Sequence, residues 1–494
     1  MRLKRLFLGI LLSAIFVNII ASNYNPESIS ISLKVPGNKA RCYPLALQKY
    51  QDGVYKCQSS EKLPLVITRQ VVNQNGMQRI NVVIKALETV YFNYGEQIET
   101  GYKHSDCQFY MPGFWYRRNL RSPENTPSFK ISDSWLVRED RLSTPLTAVF
   151  CSSKAKSMSV IRLDKFDKEA LTTHKEGEVI VSGETSIGYT GFENVGGMTV
   201  LSYGFPYKEA PRTYIRKLTL APSVEAFQFL CKGDSITLAW ELSEIDVADF
   251  SECVQRTWEY CYDTYRPQSF NASYTADRMK EVLSNFFVDS YVDSTPTHYY
   301  SGVGLKTLTC DKTDVAEVGF LGRTLLNAFN ALEYGSLQNR SELVKDANNI
   351  FETYLSHGFS PAGFFNEVVR FHRDSKESNF SIRRQSEGVY AILSYLDYEK
   401  KHKRKHVEWE KRLKVILDNF LRIQKTDGSF PRKFKDDFSI VDSTGGSTPS
   451  VTLPLVMAYK YFNDKRYLES AKRSANYLEN EIISKSDYFS STLD

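Results

Sequence analysis

The chain has 494 residues, more than one ordinary hydrophobic core accommodates, so two domains are expected. Hydrophobic and charged contents of 42% and 24% are ordinary globular values. Basic and acidic residues number 63 and 58, and three of the basic ones fall in an N-terminal leader, so the remainder is too balanced for a nucleic-acid binder.

The leader reads as an export signal. Arg2, Lys4 and Arg5 precede the apolar run Leu6 to Ile20, and Ala21 and Ser22 offer a small-residue cleavage site. Residues 1–22 are therefore expected to be removed, leaving a periplasmic or secreted protein. The run is short for a spanning helix, so no membrane association beyond the signal is expected.

Residues 23–250 read as β. Short alternating or β-branched runs occur at Ser28 to Val35, Leu63 to Val71, Arg79 to Lys85, Leu146 to Cys151, Ser159 to Leu163, Met198 to Tyr203, Tyr214 to Leu220 and Ser235 to Leu242. Turn residues separate them, which argues for a β-sandwich rather than βαβ units. No Gly-rich phosphate loop is present, and hence no nucleotide site is expected. The chain has 8 Cys and no CxxC pair. Export permits disulfides, and Cys42 with Cys57 is the easiest pair to imagine across a short turn-rich stretch.

Residues 251–312 form an expected linker. A helix at 252–265 stops at Arg266-Pro267, because proline cannot continue the backbone ladder. A second helix spans about 275–290, and an irregular aromatic-rich stretch with His298, Tyr299 and Tyr300 follows.

From 313 the pattern repeats. Three times an apolar helix precedes a charged amphipathic one, over about 313–357, 384–425 and 447–483. Compact apolar first helices suit an inner wall, and striped second helices suit an outer wall. The breaks after the first two pairs, at Gly358-Phe359 and Asp427-Gly428-Ser429-Phe430, put their leading glycines about 70 positions apart, one double-helix unit. The basic run Lys400 to His406 falls between two such helices and reads as a solvated turn.

This layout resembles the six-hairpin glycosidase superfamily, in which a β-sandwich precedes an (α/α)6 barrel. The stretches Trp135 to Ser143 (Trp-Leu-Val-Arg-Glu-Asp-Arg-Leu-Ser) and Ser443 to Pro449 (Ser-Thr-Gly-Gly-Ser-Thr-Pro) look like exported proteins of polysaccharide-degrading gut Bacteroidetes. The implied fold class is multi-domain, β then all-α: an N-terminal β-sandwich followed by a partial (α/α) toroid of helical hairpins over 313–494. The superfamily has six hairpins and three are visible, so the chain is expected to be either an open half-toroid or, the favoured reading, a C-terminally truncated version of a longer protein.

Loops leading from an outer helix to the next inner one would lie at the mouth of such a toroid. Glycoside hydrolysis needs one carboxyl group to protonate the leaving oxygen and another to activate water or attack the sugar. The candidates at inner-helix starts are Glu387, Asp442, Asp314 and Glu317. Asp314 and Glu317 also have the form of a capping box, Glu387 a first-turn acid favoured by the helix dipole, and Asp442 an ordinary turn residue. Arg370, Arg383 and Arg384 suit a uronate carboxylate, with surface ion pairing as the plainer reading, and His372 is a candidate acid or base. From the β-domain, Trp115 and Arg117 suggest a loop reaching the sugar, against an ordinary core role for Trp115. No HExxH or other metal spacing occurs, so neither a metal nor a cofactor is expected.

The expected activity is that of an exported glycoside hydrolase-like protein acting on a complex polysaccharide or oligosaccharide, uronate-containing glycans among them. A polysaccharide lyase on the same toroid, using Tyr299, Tyr300 or His372 with an Arg neutraliser, is the alternative, and a non-catalytic glycan-binding protein is another. The expected partner is carbohydrate, with no nucleic acid; the sequence does not specify an oligomeric state.

Overall fold

The structure, a computed structural model, describes residues 28–74, 76–120, 125–164, 167–168, 176–216, 219–266, 273–294, 297–300, 315–317, 324–370 and 379–485. The expected signal segment, Asp314 and His372 lie outside the described residues. The chain divides into two units between Arg266 and Pro267.

The first unit is β-rich. One antiparallel row runs, neighbour to neighbour, Arg41–Gln51, Ser28–Lys34, Val90–Lys103, Met198–Phe205, Tyr189–Val195 and Trp135–Arg138. A second runs Val54–Gln58, Leu65–Gln74, Met77–Ala86, Ser235–Asp246, Lys156–Arg162, Leu146–Cys151, Cys107–Met111 and Trp115–Arg117. Strand Arg41–Gln51 pairs at its start with the first row and at its end with Val54–Gln58, and so joins the two. The period of two decides which faces are buried. In Met77–Ala86 the residues Ile80, Val82 and Ile84 are buried, while Arg79, Val83 and Lys85 between them face solvent. Ile80, Val82 and Trp240 from one row share a core with Phe92, Tyr94 and Tyr203 from the other. Each such side chain contributes about 1.5–3 kcal/mol on burial.

One charge pair is sealed into this core. Arg69 Nε donates to both carboxylate oxygens of Glu96 at 3.2 and 3.1 Å, and its Nη2 donates to Oε2 at 3.1 Å. The Tyr94 and Tyr203 hydroxyls donate to the same carboxylate at 2.6 and 2.9 Å. A buried carboxylate needs such partners, because burial without them costs several kcal/mol.

Two sequence expectations change here. The run Tyr214 to Leu220 is not one strand: Tyr214 and Leu220 stand opposite each other in the antiparallel pair Lys208–Arg216 and Thr219–Leu230. Cys42 and Cys57 do not face each other either. Cys57 stands opposite Leu47, five positions beyond Cys42 on that strand. At ~3.3 Å per residue the offset is about 16 Å, well beyond what a disulfide spans.

Helix α1 (Phe250–Thr264) belongs to the first unit rather than to a linker. Asp249 caps it by accepting from Glu252 N, and its Phe250, Cys253 and Cys261 pack on Tyr110, Leu146, Phe150 and Ile161 of the second row.

The second unit is helical. Helix α2 (Ala276–Ser290) leads into a short hairpin, Tyr291–Ser294 with Thr297–Tyr300. Among the described residues three helical hairpins follow: α3 (Thr324–Leu337) with α4 (Ser341–His357), α5 (Ile382–Lys401) with α6 (Val407–Ile423), and α7 (Pro449–Phe462) with α8 (Lys465–Tyr477). Helix α3 packs on α5 and α5 on α7, while α4, α6 and α8 each pack on their own partner. The sequence explains the division of labour. Helix α6 buries Trp409, Leu413, Ile416, Leu417 and Phe420 along one stripe, whereas α5 is buried nearly all round, with Gly388 and Ala391 among its buried positions. Pro449 opens α7, and Asn463 closes it in the left-handed region. No described helix is long and apolar enough to cross a membrane.

Helix α3 starts later than the sequence suggests. Val315–Glu317 is a strand antiparallel to Val368–Arg370, and α3 begins at Thr324. Glu317 is therefore not in a helix's first turn, and the capping-box reading of Asp314 and Glu317 falls. β-branched Val315 suits a strand.

Candidate functional site

The two loops that precede α5 and α7 share one construction. After α4, Ser360 N donates to Phe364 O and Gly363 N to Ser360 O; after α6, Lys425 N donates to Ser429 O and Gly428 N to Lys425 O. Gly363 and Gly428 take φ of 93° and 90°, which only glycine adopts without strain. The repeat is therefore anchored on Gly363 and Gly428. Gly358, the glycine singled out in the sequence, instead ends α4 by donating to Tyr354 O. In each repeat the start of the next hairpin's first helix holds the segment that follows the loop glycine: Phe365 N donates to Gln385 Oε1 at 2.8 Å, and Phe430 N donates to Thr448 Oγ1 at 3.0 Å.

A small antiparallel sheet ties the two loops together, with Phe380–Ser381, Lys433–Phe434 and Ile440–Asp442 as neighbours. The rings of Phe364, Phe380, Phe434 and Phe438 pack together beside it.

Five polar side chains gather at the start of α5. Glu367 is 1% exposed, and its Oε1 accepts from Ser381 N at 2.5 Å and Gln385 Nε2 at 3.1 Å. Arg384 Nη1 reaches its Oε2 at 3.4 Å. One turn on, Arg383 Nε donates to Glu387 Oε1 at 3.3 Å, while Glu387 Oε2 is buried and has no hydrogen-bond partner among the described residues. The Glu387 side chain remains 25% exposed.

Asp442 is engaged differently. Arg432 Nε donates to its Oδ2 at 2.7 Å, and Thr444 N and Oγ1 donate to its Oδ1 at 2.9 and 2.6 Å. Burial pushes this carboxyl up, but Thr444 and Arg432 outweigh it and hold the group below the usual carboxylate range. Asp442 therefore stays ionised at neutral pH, which fits a base and not an acid.

The other sequence candidates separate. Arg370 is placed only through its backbone, opposite Val315, and Glu317 opposite Val368. Asp314 and His372 lie outside the described residues. Trp115 is not offered to a sugar. It is completely buried in the first unit against Trp135, Phe129 and Phe192, and its Nε1 donates to Arg117 O at 3.0 Å. Arg117 lies over the Phe250 ring at 4.9 Å and donates to Gln108.

Glu367 and Gln385 were not ranked as site residues by the sequence. The signal was there in the repeat: with Phe365 aligned on Phe430, Glu367 aligns on Arg432. Each of these two buried charges finds its partner near the first helix of the next hairpin, Arg384 for one and Asp442 for the other.

A second polar cluster stands on the hairpin after α2. His298 Nδ1 lies 3.0 Å from the Tyr291 hydroxyl and 3.1 Å from Asp293 Oδ1, and Asn349 Nδ2 donates to the Tyr291 hydroxyl at 3.0 Å. Tyr299 and Tyr300, the tyrosines named from sequence, are both buried. Among the described residues no group of three or more His, Cys, Asp or Glu is placed to hold a metal.

No protein-family model matches the sequence, and no curated protein matches it. Among solved structures the chain is similar to a D-mannose isomerase, at 14% identity and a TM-score of 0.33, over 43% of this chain and 53% of that one. It is similar to cellobiose 2-epimerase from Bacillus thermoamylovorans at 16% identity and 0.28, over 31% and 40%. It is also similar to a polysaccharide lyase at 9% identity and 0.34, over 92% and 75%. The chain thus spans about half the length of the isomerase it matches. All three names belong to carbohydrate chemistry, but a likeness this distant fixes neither reaction nor substrate.

Proposed function

We propose that this chain is an exported, glycoside hydrolase-like protein of the six-hairpin type, a β-sandwich followed by part of an (α/α) toroid. Its substrate is a complex polysaccharide or oligosaccharide, with uronate-containing glycans the first class to test. The observation that carries the reading is the state of Glu387. Glu367 and Asp442 have both carboxylate oxygens engaged, whereas Glu387 keeps Oε2 without a protein partner among the described residues and stays partly exposed. A buried carboxyl oxygen left without a protein partner is one that a bound ligand group can complete, and in this proposal that group is the glycosidic oxygen that receives the proton. Arg383 pairs with Glu387 and Arg384 with Glu367, and guanidinium groups of this kind are the chemistry that recognises a carboxylate. In this proposal the second carboxyl group is Asp442, Asp314 or Glu317, and Asp442 already has the ionised state a base requires.

Glu387→Gln tests it. Reducing-sugar release from a panel of uronate-containing glycans should fall by about 10²–10⁴-fold, the usual contribution of a general acid or base, with melting temperature and glycan binding unchanged. Unchanged release would remove Glu387 from the reaction.

The Tyr291, His298 and Asp293 cluster favours a second reading, a polysaccharide lyase, because a lyase needs a Tyr or His base. An unsaturated, ultraviolet-absorbing product that disappears in His298→Ala and persists in Glu387→Gln would select it. Glycan binding with no product of either kind would leave a binding protein.

A further inference from the structure

We propose that Cys107 and Cys151 are joined by a disulfide bond in the mature protein. Cys107 opens the strand Cys107–Met111, Cys151 closes the strand Leu146–Cys151, and the two stand directly opposite each other in the antiparallel register. Opposed residues in such a pair have Cα atoms about 4.5 or 5.5 Å apart, both within the range a disulfide spans. Both side chains are completely buried, and both are free thiols in this structure. Their other contacts are weak ones, Cys107 Sγ to Lys103 O at 3.2 Å and Cys151 Sγ to Ser153 Oγ at 3.4 Å. Among the described cysteines no other two face each other across paired strands: Cys42 opposes Ser32, Cys57 opposes Leu47, and Cys253 meets Ser157.

The bond forms by exchange with a disulfide donor, either a dithiol–disulfide oxidoreductase or oxidised glutathione. One cysteine thiolate attacks a donor sulfur and displaces the first donor thiolate. The second cysteine thiolate then attacks the mixed disulfide, closes the S–S bond and releases the other donor sulfur. Two protons and two electrons leave the protein, and the donor is reduced. Burial pushes the Cys107 thiol up to about 12, so hardly any thiolate exists once the sheet has closed. The bond therefore closes while the chain folds, and afterwards resists reduction. It staples the segment that carries Trp115 and Trp135, two of the largest buried side chains of this core.

The test is to refold the full chain with a glutathione redox pair and, separately, with excess reductant. Free thiols are then trapped with N-ethylmaleimide in denaturant and the peptides mapped. The expected result is one linked pair, Cys107 with Cys151, in the oxidised sample. That sample should melt roughly 5–15 °C above the reduced one, the effect of closing a loop of this size. The double variant Cys107→Ala/Cys151→Ala should melt at one temperature in both buffers. The same map on full-length protein folded in an oxidising cellular compartment should read the same bond. Trapping of both residues as free thiols in the oxidised samples, or linkage of either to another cysteine, would overturn the proposal.

Discussion

Glu139, in the Trp135 to Ser143 stretch, is a carboxyl group sealed in the first unit with its two oxygens unequally treated. Oε2 accepts from Gly188 N at 2.8 Å and Arg162 Nη1 at 3.3 Å, while Oε1 is buried with no hydrogen-bond partner among the described residues. Burial pushes its pKa up to about 7, and Arg162 opposes this only in part. An unfolded Glu titrates near 4.5, so between these values the folded chain holds the proton that the unfolded chain has lost. Stability from this group is fully present below about pH 4.5 and declines as pH rises through about 7. The loss should be on the order of 1–3 kcal/mol in urea unfolding. Glu139→Gln should abolish that slope, because a neutral amide does not titrate and Arg162 keeps its ion pair with Asp164. An unaltered slope in the variant would assign it to another group.

At the scale of elements, the two loop glycines make a matched experiment. Both have φ near +90°, so alanine is strained at either. What differs is the neighbour. A Cβ at Gly428 would come within 2.3 Å of the backbone carbonyl oxygen of Arg473 in α8, which cannot swing away; at Gly363 it would meet the end of the Val415 side chain at 2.6 Å. Gly428→Ala should cost roughly 2 kcal/mol or more and Gly363→Ala about 1 kcal/mol, read as unequal drops in melting temperature. Equal drops would mean that α8 moves away freely. The same elements show what the sequence made legible. Helices α4 to α8 were readable because their apolar stripes, caps and prolines agree locally. The start of α3 was not, since Val315–Glu317 takes its conformation from Val368–Arg370, far along the chain. Strand Val90–Lys103 escaped too. Gly95, Glu96 and Gly101 argue against a strand interior, yet Gly95 is packed beneath the Tyr189 hydroxyl and Glu96 is neutralised by Arg69 from the other row. At the site, Arg383, Arg384 and Glu387 were visible within one helical turn. The burial of Trp115 and the bracing of Asp442 by Arg432 depend on tertiary neighbours that no local pattern encodes.

For the molecule as a whole, the two units have separate cores, one built on strand side chains such as Ile80, Phe92 and Trp240, the other on helix side chains such as Ile350, Ile392 and Leu417. A unit with its own core melts on its own account, so calorimetry of the full chain should resolve two transitions. Arg69→Met assigns them. It removes the cation and leaves Glu96 buried with the hydroxyls of Tyr94 and Tyr203 as its remaining donors. Breaking a buried pair from one side costs about 3–5 kcal/mol, which for a unit of this size lowers the melting temperature by roughly 6–20 °C. Only the transition of the β-rich unit should move by that amount. The helical unit's transition should stay in place, because Arg69, Tyr94 and Tyr203, the groups that bond to Glu96, belong to the β-rich unit. If both transitions shifted together, the two cores would be one cooperative block, and a change in the β-rich unit would reach the start of α5 through stability alone.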